Sequence, residues 1–279
     1  MRIPPKASQA IAVALLGGAT LLTLAVLVFV IVFVLGKGLP VINWAFLLDV
    51  PREMGKAGGI FPTIVGTLVL PLVAIAIALP MGVGTAVYLT EYTRPGRVTS
   101  VIRFGTDCLA GIPSIIFGLF GYIFFVTILR MGWCILSGAL TLAIMVLPTI
   151  IRTAEEAIKA VPNSYREVSY SLGATRWETV LKAVLPNALP GIVTGVMLSV
   201  GRCIGETAAV IFTAGTALRL PDSLFDSART MAVHFYILAR EGISNENAYG
   251  TAAVLVISVL IVNSVSYWMM HKFISGRSA

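Results

Sequence analysis

The chain has 279 residues, of which 57% are hydrophobic and 12% charged, with a mean hydropathy of +0.93; a soluble domain carries about 25% charged residues. That deficit excludes a soluble globular domain and fits one membrane bundle of about six spans, at ~20 apolar residues each, with no length left for a further soluble domain. The net charge of +7 argues for nucleic-acid binding only if the basic residues cluster on a soluble surface, and here they sort by loop, which makes them a topology signal.

Residues 1–9 are short, polar and basic, and residues 10–35 are apolar and uncharged. The apolar run is too long for a signal-peptide core and lacks a small-residue cleavage site, so it is predicted as a retained first span. Residues 36–59 form a polar connection with Lys37, Asp49, Arg52, Glu53 and Lys56. The second span is predicted over 60–89, kinked by Pro62, Pro71 and Pro80, whose freed backbone carbonyls need partners on neighbouring helices. A short basic stretch with Arg94, Arg97 and Arg103 leads into a third span over 106–129, with Asp107 at its rim. Gly111, Pro113, Gly118 and Gly121 in that span permit close helix approach. The fourth span is predicted over 133–151, the fifth over 186–214 and the sixth over 248–270. Between the last two, residues 219–247 read as a loop in which 231–239 forms at most a short helix lying on the surface. Six spans put both termini on one side. Twelve Lys and Arg on that side against seven on the other place the termini, and the loop before the fifth span, in the cytoplasm. Cys108, Cys134 and Cys203 have no ligand-like spacing and read as packing residues. No internal repeat or low-complexity tract is present.

The loop before the fifth span carries two capping boxes, Ser164-Tyr165-Arg166-Glu167 and Thr175-Arg176-Trp177-Glu178. Gly173 stands between them, where a helix ends on a left-handed residue. The pattern predicts helix, glycine corner, helix, and then Pro186 opening the span. The first helix is too short to stand alone in water, and Tyr165, Val168 and Leu172 give it an apolar edge at helical spacing. That edge either packs on the chain's own bundle or enters the groove of a soluble partner. No G-x-x-x-x-G-K-[ST] phosphate loop occurs, so nucleotide hydrolysis by that route falls to another subunit.

Arg202 and Glu206 lie inside the predicted fifth span. Arg202 is about 16 residues beyond Pro186, roughly 24 Å along a helix and so at or just past mid-bilayer. An arginine at that depth costs about 2.5–3.5 kcal/mol and faces protein or a water-filled path. Gly195, Ser199, Arg202, Glu206, Ala209 and Thr213 recur at steps of 4 and 3, a seam of small and polar residues. Arg202 and Glu206 either lock two helices as a neutral ion pair or serve an anion. The cation-first order is the weaker helical orientation, which leaves Arg202 available to grip a tetrahedral oxyanion through two parallel hydrogen bonds, with Glu206 taking the guanidinium back afterwards. Arg152, with Glu155 and Glu156, reads as a solvated helix end, or else as part of an inner gate or a dock.

Glu167-Val168-Ser169, then Gly173, then Leu185-Pro186 resembles the EAA signature of bacterial ABC importer permeases, with Val168 and Ser169 in place of two alanines and Ala183 in place of isoleucine. The run Gly201-Arg202-Cys203-Ile204-Gly205-Glu206-Thr207-Ala208 resembles the R-A-x-G-E-T-A segment of the phosphate importer permeases, with Cys203 in place of alanine. Residues 58–67, 110–118 and 150–157 are similar to the PstA branch of that family, and the likeness spans about 58–271. The resemblance implies an all-α membrane protein, a six-helix MetI-like permease bundle in the bacterial inner membrane. Its division would be an N-terminal segment, 1–57, and a core permease domain, 58–274, with a coupling helix at about 164–173. By position, Arg202, Glu206, Ser199 and Thr207 fall in the substrate path, and Ser164, Glu167, Gly173, Ala174 and Thr175 in the coupling to an ATPase. The implied partners are a second, PstC-like permease, a PstB-like ATPase dimer and an extracytoplasmic PstS-like phosphate-binding protein. No cofactor is expected on this chain; ATP and Mg belong on the ATPase.

Residue chemistry alone does not separate phosphate from sulfate or molybdate, and only the wider likeness favours phosphate. A membrane enzyme is disfavoured because the two histidines, His234 and His271, have no metal-like or triad-like neighbours. A self-contained channel is disfavoured because a pore needs no ATPase dock.

Overall fold

The computed structural model describes residues 5–94 and 96–275. Among them, five helices are long and apolar enough to cross a membrane: Ile11–Val41, Phe61–Tyr92, Ile135–Lys159, Arg176–Ile204 and Asn245–Val265. A further pair, Arg97–Ala110 and Ser114–Ile128, is bent by 101° and makes the count six if its two halves serve as one span.

The first helix, α1 (Pro5–Gly38), exposes its apolar surface almost all round, as a span that meets lipid must. It leans on the last helix, where Phe33 meets Tyr249 edge-on at 6.0 Å and Lys37 sits over both rings. The connection that follows folds into α2 (Trp44–Leu48), capped by Asn43, and a short antiparallel hairpin of β1 (Pro51–Arg52) and β2 (Ala57–Gly58). Helix α3 (Phe61–Val87) continues through a π-helical turn, Tyr88–Tyr92.

The third span is not the continuous helix predicted over 106–129. Helix α4 (Arg97–Ala110) stops at Gly111, and α5 (Ser114–Gly121) starts after Pro113 and runs on as a π segment, Tyr122–Ile128. Proline has no amide to donate and disfavours helix in the residue before it. Residues 114–128 would span only about 22 Å of helix, short of a ~30 Å hydrocarbon slab. The polar residues of α4 stay at one end of the bundle, where they find ion-pair partners.

Helix α6 (Ile135–Lys159) is the most enclosed of the spans. Its Leu142, Met145, Val146 and Ile150 interlock with Leu70, Ala74 and Ala78 of α3 in the main core. Gly82 admits Ile150, whose Cγ2 lies 2.6 Å from where a Cβ would stand.

After α7 (Asn163–Ser171) and α8 (Arg176–Thr179), a π turn, Val180–Val184, leads into α9 (Leu185–Ile204). The fifth span is therefore one helix from Arg176 to Ile204, not 186–214. Pro186 does not open it; the π turn just before that proline absorbs its missing amide. The chain then breaks at residues 205–207 and resumes as α10 (Ala208–Thr213).

Helix α11 (Met231–Arg240) is not a surface helix. Its Met231, Ala232, Val233, His234 and Leu238 are buried, between α3 and the final helix, α12 (Asn245–Ser275). The Met231 amide donates to Thr67 Oγ1 at 2.8 Å, and Gly66 makes room for the Arg229 carbonyl.

Within this packing His234 is fully buried beside Arg229, its Nδ1 3.3 Å from Arg229 Nη1 and its Nε2 without a partner. Burial, reinforced by the Arg229 charge, pushes the imidazole down from 6.5 to about 4. The folded state thus prefers the neutral ring. Above pH 6.5 both states hold it neutral and stability is complete. As pH falls from 6.5 towards 4 the unfolded chain takes up a proton that the folded chain refuses, and stability drops by about 3 kcal/mol at most. The unfolding midpoint of the detergent-solubilised protein should fall across that window, and should fall less for His234→Asn.

Candidate functional site at the break in span five

The sequence pattern treats residues 186–214 as one helix with Arg202 and Glu206 a turn apart. The structure separates them. Arg202 lies in the last turn of α9, and Glu206 lies in the break beyond it. They form no ion pair: Glu206 Oε1 instead accepts from the Ala209 amide at 3.3 Å, capping α10. Arg202 is exposed and makes no hydrogen bond or ion pair to any described residue. Its depth also changes. It lies about 26 residues beyond Arg176, roughly 39 Å along the helix, near the far end of the span and not at its middle.

The seam is also divided. Ser199 is 1% exposed and donates to the Gly195 carbonyl at 2.9 Å. Gly195 packs so tightly on Thr153 of α6 that an added Cβ would collide with its hydroxyl. The buried face of α9 runs Ile192, Gly195, Ser199, Cys203. Ser199 therefore faces the neighbouring span, and Cys203, read as a packing residue, continues the stripe that Arg202 leaves. Thr207 is half-buried at the start of α10, where its carbonyl accepts from Ile211 at 3.0 Å. Gly201, next to Arg202 in the chain, approaches Asn263 of α12, whose Oδ1 is 4.0 Å from a Cβ built on that glycine. The break serves packing as well. It lets α10 lie on α5, where Gly118 admits the Ala209 Cα to 2.8 Å from a would-be Cβ.

At the other end of the bundle, helix α7 and its corner form as the spacing predicts, with one correction. Thr175 and Glu178 make a complete capping box, but Ser164 caps nothing: α7 starts at Asn163 behind Pro162. Gly173 has φ +81, and the Ala174 amide reaches back to Ser169 O at 3.1 Å, closing the helix end. The apolar edge of α7 stays open, with Val168 60% and Leu172 83% exposed; it does not pack on the bundle. Glu167 is exposed on the same short helix.

What holds α7 in place was not visible in the sequence. Arg166 donates to Glu91 at the end of α3 (Nη2 to Oε1 2.7 Å, Nε to Oε1 3.1 Å) and to the carbonyls of Ile158 and Val161 at the end of α6 (3.0 and 2.8 Å). The two side chains are only 15% and 7% exposed. Arg176 adds a bond to the Glu91 carbonyl at 3.2 Å, and the Ser169 and Thr179 hydroxyls meet at 2.9 Å.

Nearby, α4 is tied to α6 by Arg103–Glu155 at 2.6 Å and Arg152–Asp107 at 3.2 Å; Lys159 also reaches Glu155 at 2.6 Å. These residues line a polar cavity of about 240 Å³. Arg152 and Glu155 are thus partnered across two helices, and Glu155 is buried.

The binding-protein-dependent transport system inner membrane component family matches residues 78–277. The probable ABC transporter permease protein YqgI of Bacillus subtilis is 34% identical over 280 residues, 95% of each chain. The phosphate transport system permease protein PstA 1 of Mycobacterium tuberculosis is 37% identical over 226 residues, 79% of this chain and 73% of that protein. PstA of Pasteurella multocida is 35% identical over 81% of both. In fold, the chain is similar to a bacterial alginate ABC transporter in complex with an oligosaccharide-bound periplasmic protein (TM-score 0.68, 15% identity, 95% of this chain and 94% of that one). It is also similar to the MetNI methionine ABC transporter in an inward-facing conformation (TM-score 0.60, 23% identity, 77% and 94%).

Proposed function

The chain belongs to the binding-protein-dependent transport system inner membrane component family, as a permease of PstA type, and on that premise we propose that it is one of two permease subunits of an ATP-driven importer of inorganic phosphate. The observation that carries the substrate reading is Arg202: an exposed guanidinium, unclaimed by any described residue, at the broken end of an apolar span. So close to the end of its span the guanidinium can reach water without the penalty of mid-bilayer burial, which leaves it accessible to a solute. There the guanidinium can hold an oxyanion with two parallel hydrogen bonds. With the termini cytoplasmic, the orientation that the distribution of basic residues favours, Arg202 stands towards the outer mouth, where a PstS-like protein would deliver phosphate. A PstC-like permease would complete the path.

The open edge of α7 supports the second half of the reading. Tyr165, Val168 and Leu172 are exposed on a helix that the Arg166 clamp holds on the bundle by its other side, and it faces the cytoplasm in this topology. A groove on each member of a PstB-like ATPase pair, which binds ATP and Mg, would take this helix and its counterpart on the other permease.

Co-purification of the tagged chain followed by reconstitution with the binding protein tests this. ATP-dependent uptake of labelled phosphate, unaffected by excess sulfate or molybdate, is the expected result. Sulfate competing equally would reassign the substrate, and a homo-oligomer with ATP-independent flux would overturn the importer reading.

A further inference from the structure

A second feature lies away from Arg202. Between the end of span two and the start of span five runs an apolar groove of about 360 Å³, floored by Val83, Gly84 and Val87 and walled by Tyr88, Trp177 and Leu185. Its floor is open: a Cβ on Gly84 would meet nothing within 4 Å. Both walls pass through π turns, Tyr88–Tyr92 and Val180–Val184, a feature that recurs at functional sites.

Three exposed aromatics, Tyr88, Tyr92 and Trp177, mark the mouth. Such rings collect at the headgroup level of a bilayer, and these sit within the last ~15 Å of a span and the first turn of another. The rim is cationic. The Arg176 guanidinium stacks 5.9 Å from the Tyr92 ring centroid with most of its donors unused. Arg94 and Arg97 follow, exposed and without an ion pair to described residues, and Lys182 is held only loosely, 3.7 Å from Glu178. The nearby carboxylates are committed, Glu91 to Arg166 and Glu178 to its cap on Thr175.

We propose that this groove binds one anionic phospholipid, an acyl chain lying along Val83, Gly84 and Leu185 and the headgroup phosphate held by Arg176 and Arg94. The lining offers few hydrogen-bonding groups, the tyrosine hydroxyls and the Trp177 indole N–H at the mouth, where a headgroup would lie. The charge and the dry floor match a lipid anion. The site stands without the transport reading; only its consequence rests on it. Trp177 lies in the first turn after the Thr175 cap that follows the Gly173 corner, so an occupant would brace the α7 loop against span two.

The test uses the full chain, with whatever subunits it co-purifies with, in nanodiscs of phosphatidylglycerol and phosphatidylcholine. Native mass spectrometry should find phosphatidylglycerol retained at least five-fold over phosphatidylcholine. Gly84→Leu, which fills the floor, and the double variant Arg94→Gln/Arg176→Gln should each erase that preference. In the unmodified chain, brominated phosphatidylglycerol should quench the Trp177 share of the fluorescence, measured by difference against Trp177→Phe, several-fold more than brominated phosphatidylcholine. This second measurement decides the matter even if Gly84→Leu fails to fold. Equal retention and equal quenching by the two lipids would overturn the site. So would loss of a protein subunit from Gly84→Leu with lipid retention unchanged, which would make the groove a protein contact. Phosphate uptake is not a readout, so failure of the importer reading leaves these outcomes unaffected.

Discussion

Replacing Arg202 with glutamine is expected to lower phosphate uptake by about 10–100-fold, the loss of a charge-assisted hydrogen bond worth about 1.5–3 kcal/mol. Arg202→Lys should recover only part of it, because an ammonium is a point charge and cannot offer two parallel donors. The side chain is exposed and bonded to nothing described, so expression, thermal stability and assembly with partner subunits should not change. That separation gives the experiment its force: uptake falls while the complex stays intact. A pair of variants that both transport at the rate of the parent would remove Arg202 from the path and take the substrate reading with it.

The second large effect is expected at the clamp between Arg166 and Glu91. Arg166 ties α7 to the ends of two spans at once, through Glu91 on the π turn that closes span two and the Ile158 and Val161 carbonyls at the end of span four. Removing one partner of a nearly buried pair leaves the other charged and unsatisfied, at a cost of about 3–5 kcal/mol. Glu91→Gln or Arg166→Met should therefore lower the unfolding temperature by on the order of 10 °C. Replacing both, as Glu91→Leu with Arg166→Met, should restore much of that stability, because no charge is then stranded. Coupling should not return with it. If α7 receives the ATPase stroke, the double variant hydrolyses ATP without proportionate uptake, since the rigid link from α7 to spans two and four is gone. Normal coupling in a stable double variant would show that the stroke travels through span five alone, by way of Thr175 and Val180.

Several features were legible because they are local. Composition and apolar run lengths announced a membrane bundle. The Gly173 corner and the Thr175 cap need only neighbouring residues, and both form. The resemblance around Glu167 and Arg202 led to the right family. The helix breaks were harder. Gly111 and Pro113 carried a visible signal, yet apolar content on both sides hid a 101° bend. Residues 205–207 look like a helix interior, because the advantage of ending there lies in α10 packing on Gly118, a contact between segments far apart in sequence.

The sequence by itself determined what kind of molecule this is, since hydropathy, loop charge and capping are sums over adjacent residues and do not depend on how the spans are arranged. The tertiary structure alone decided which side chains are free. It showed Ser199 turned onto α6, Glu206 spent on a helix cap, Arg202 left open near the end of its span, and Arg166 committed to a carboxylate seventy-five positions earlier. The reason is physical. A helix presents every residue at a regular angle, but whether that angle meets a neighbouring helix or open space is set by the packing of the others, and that information is not contained in any single segment.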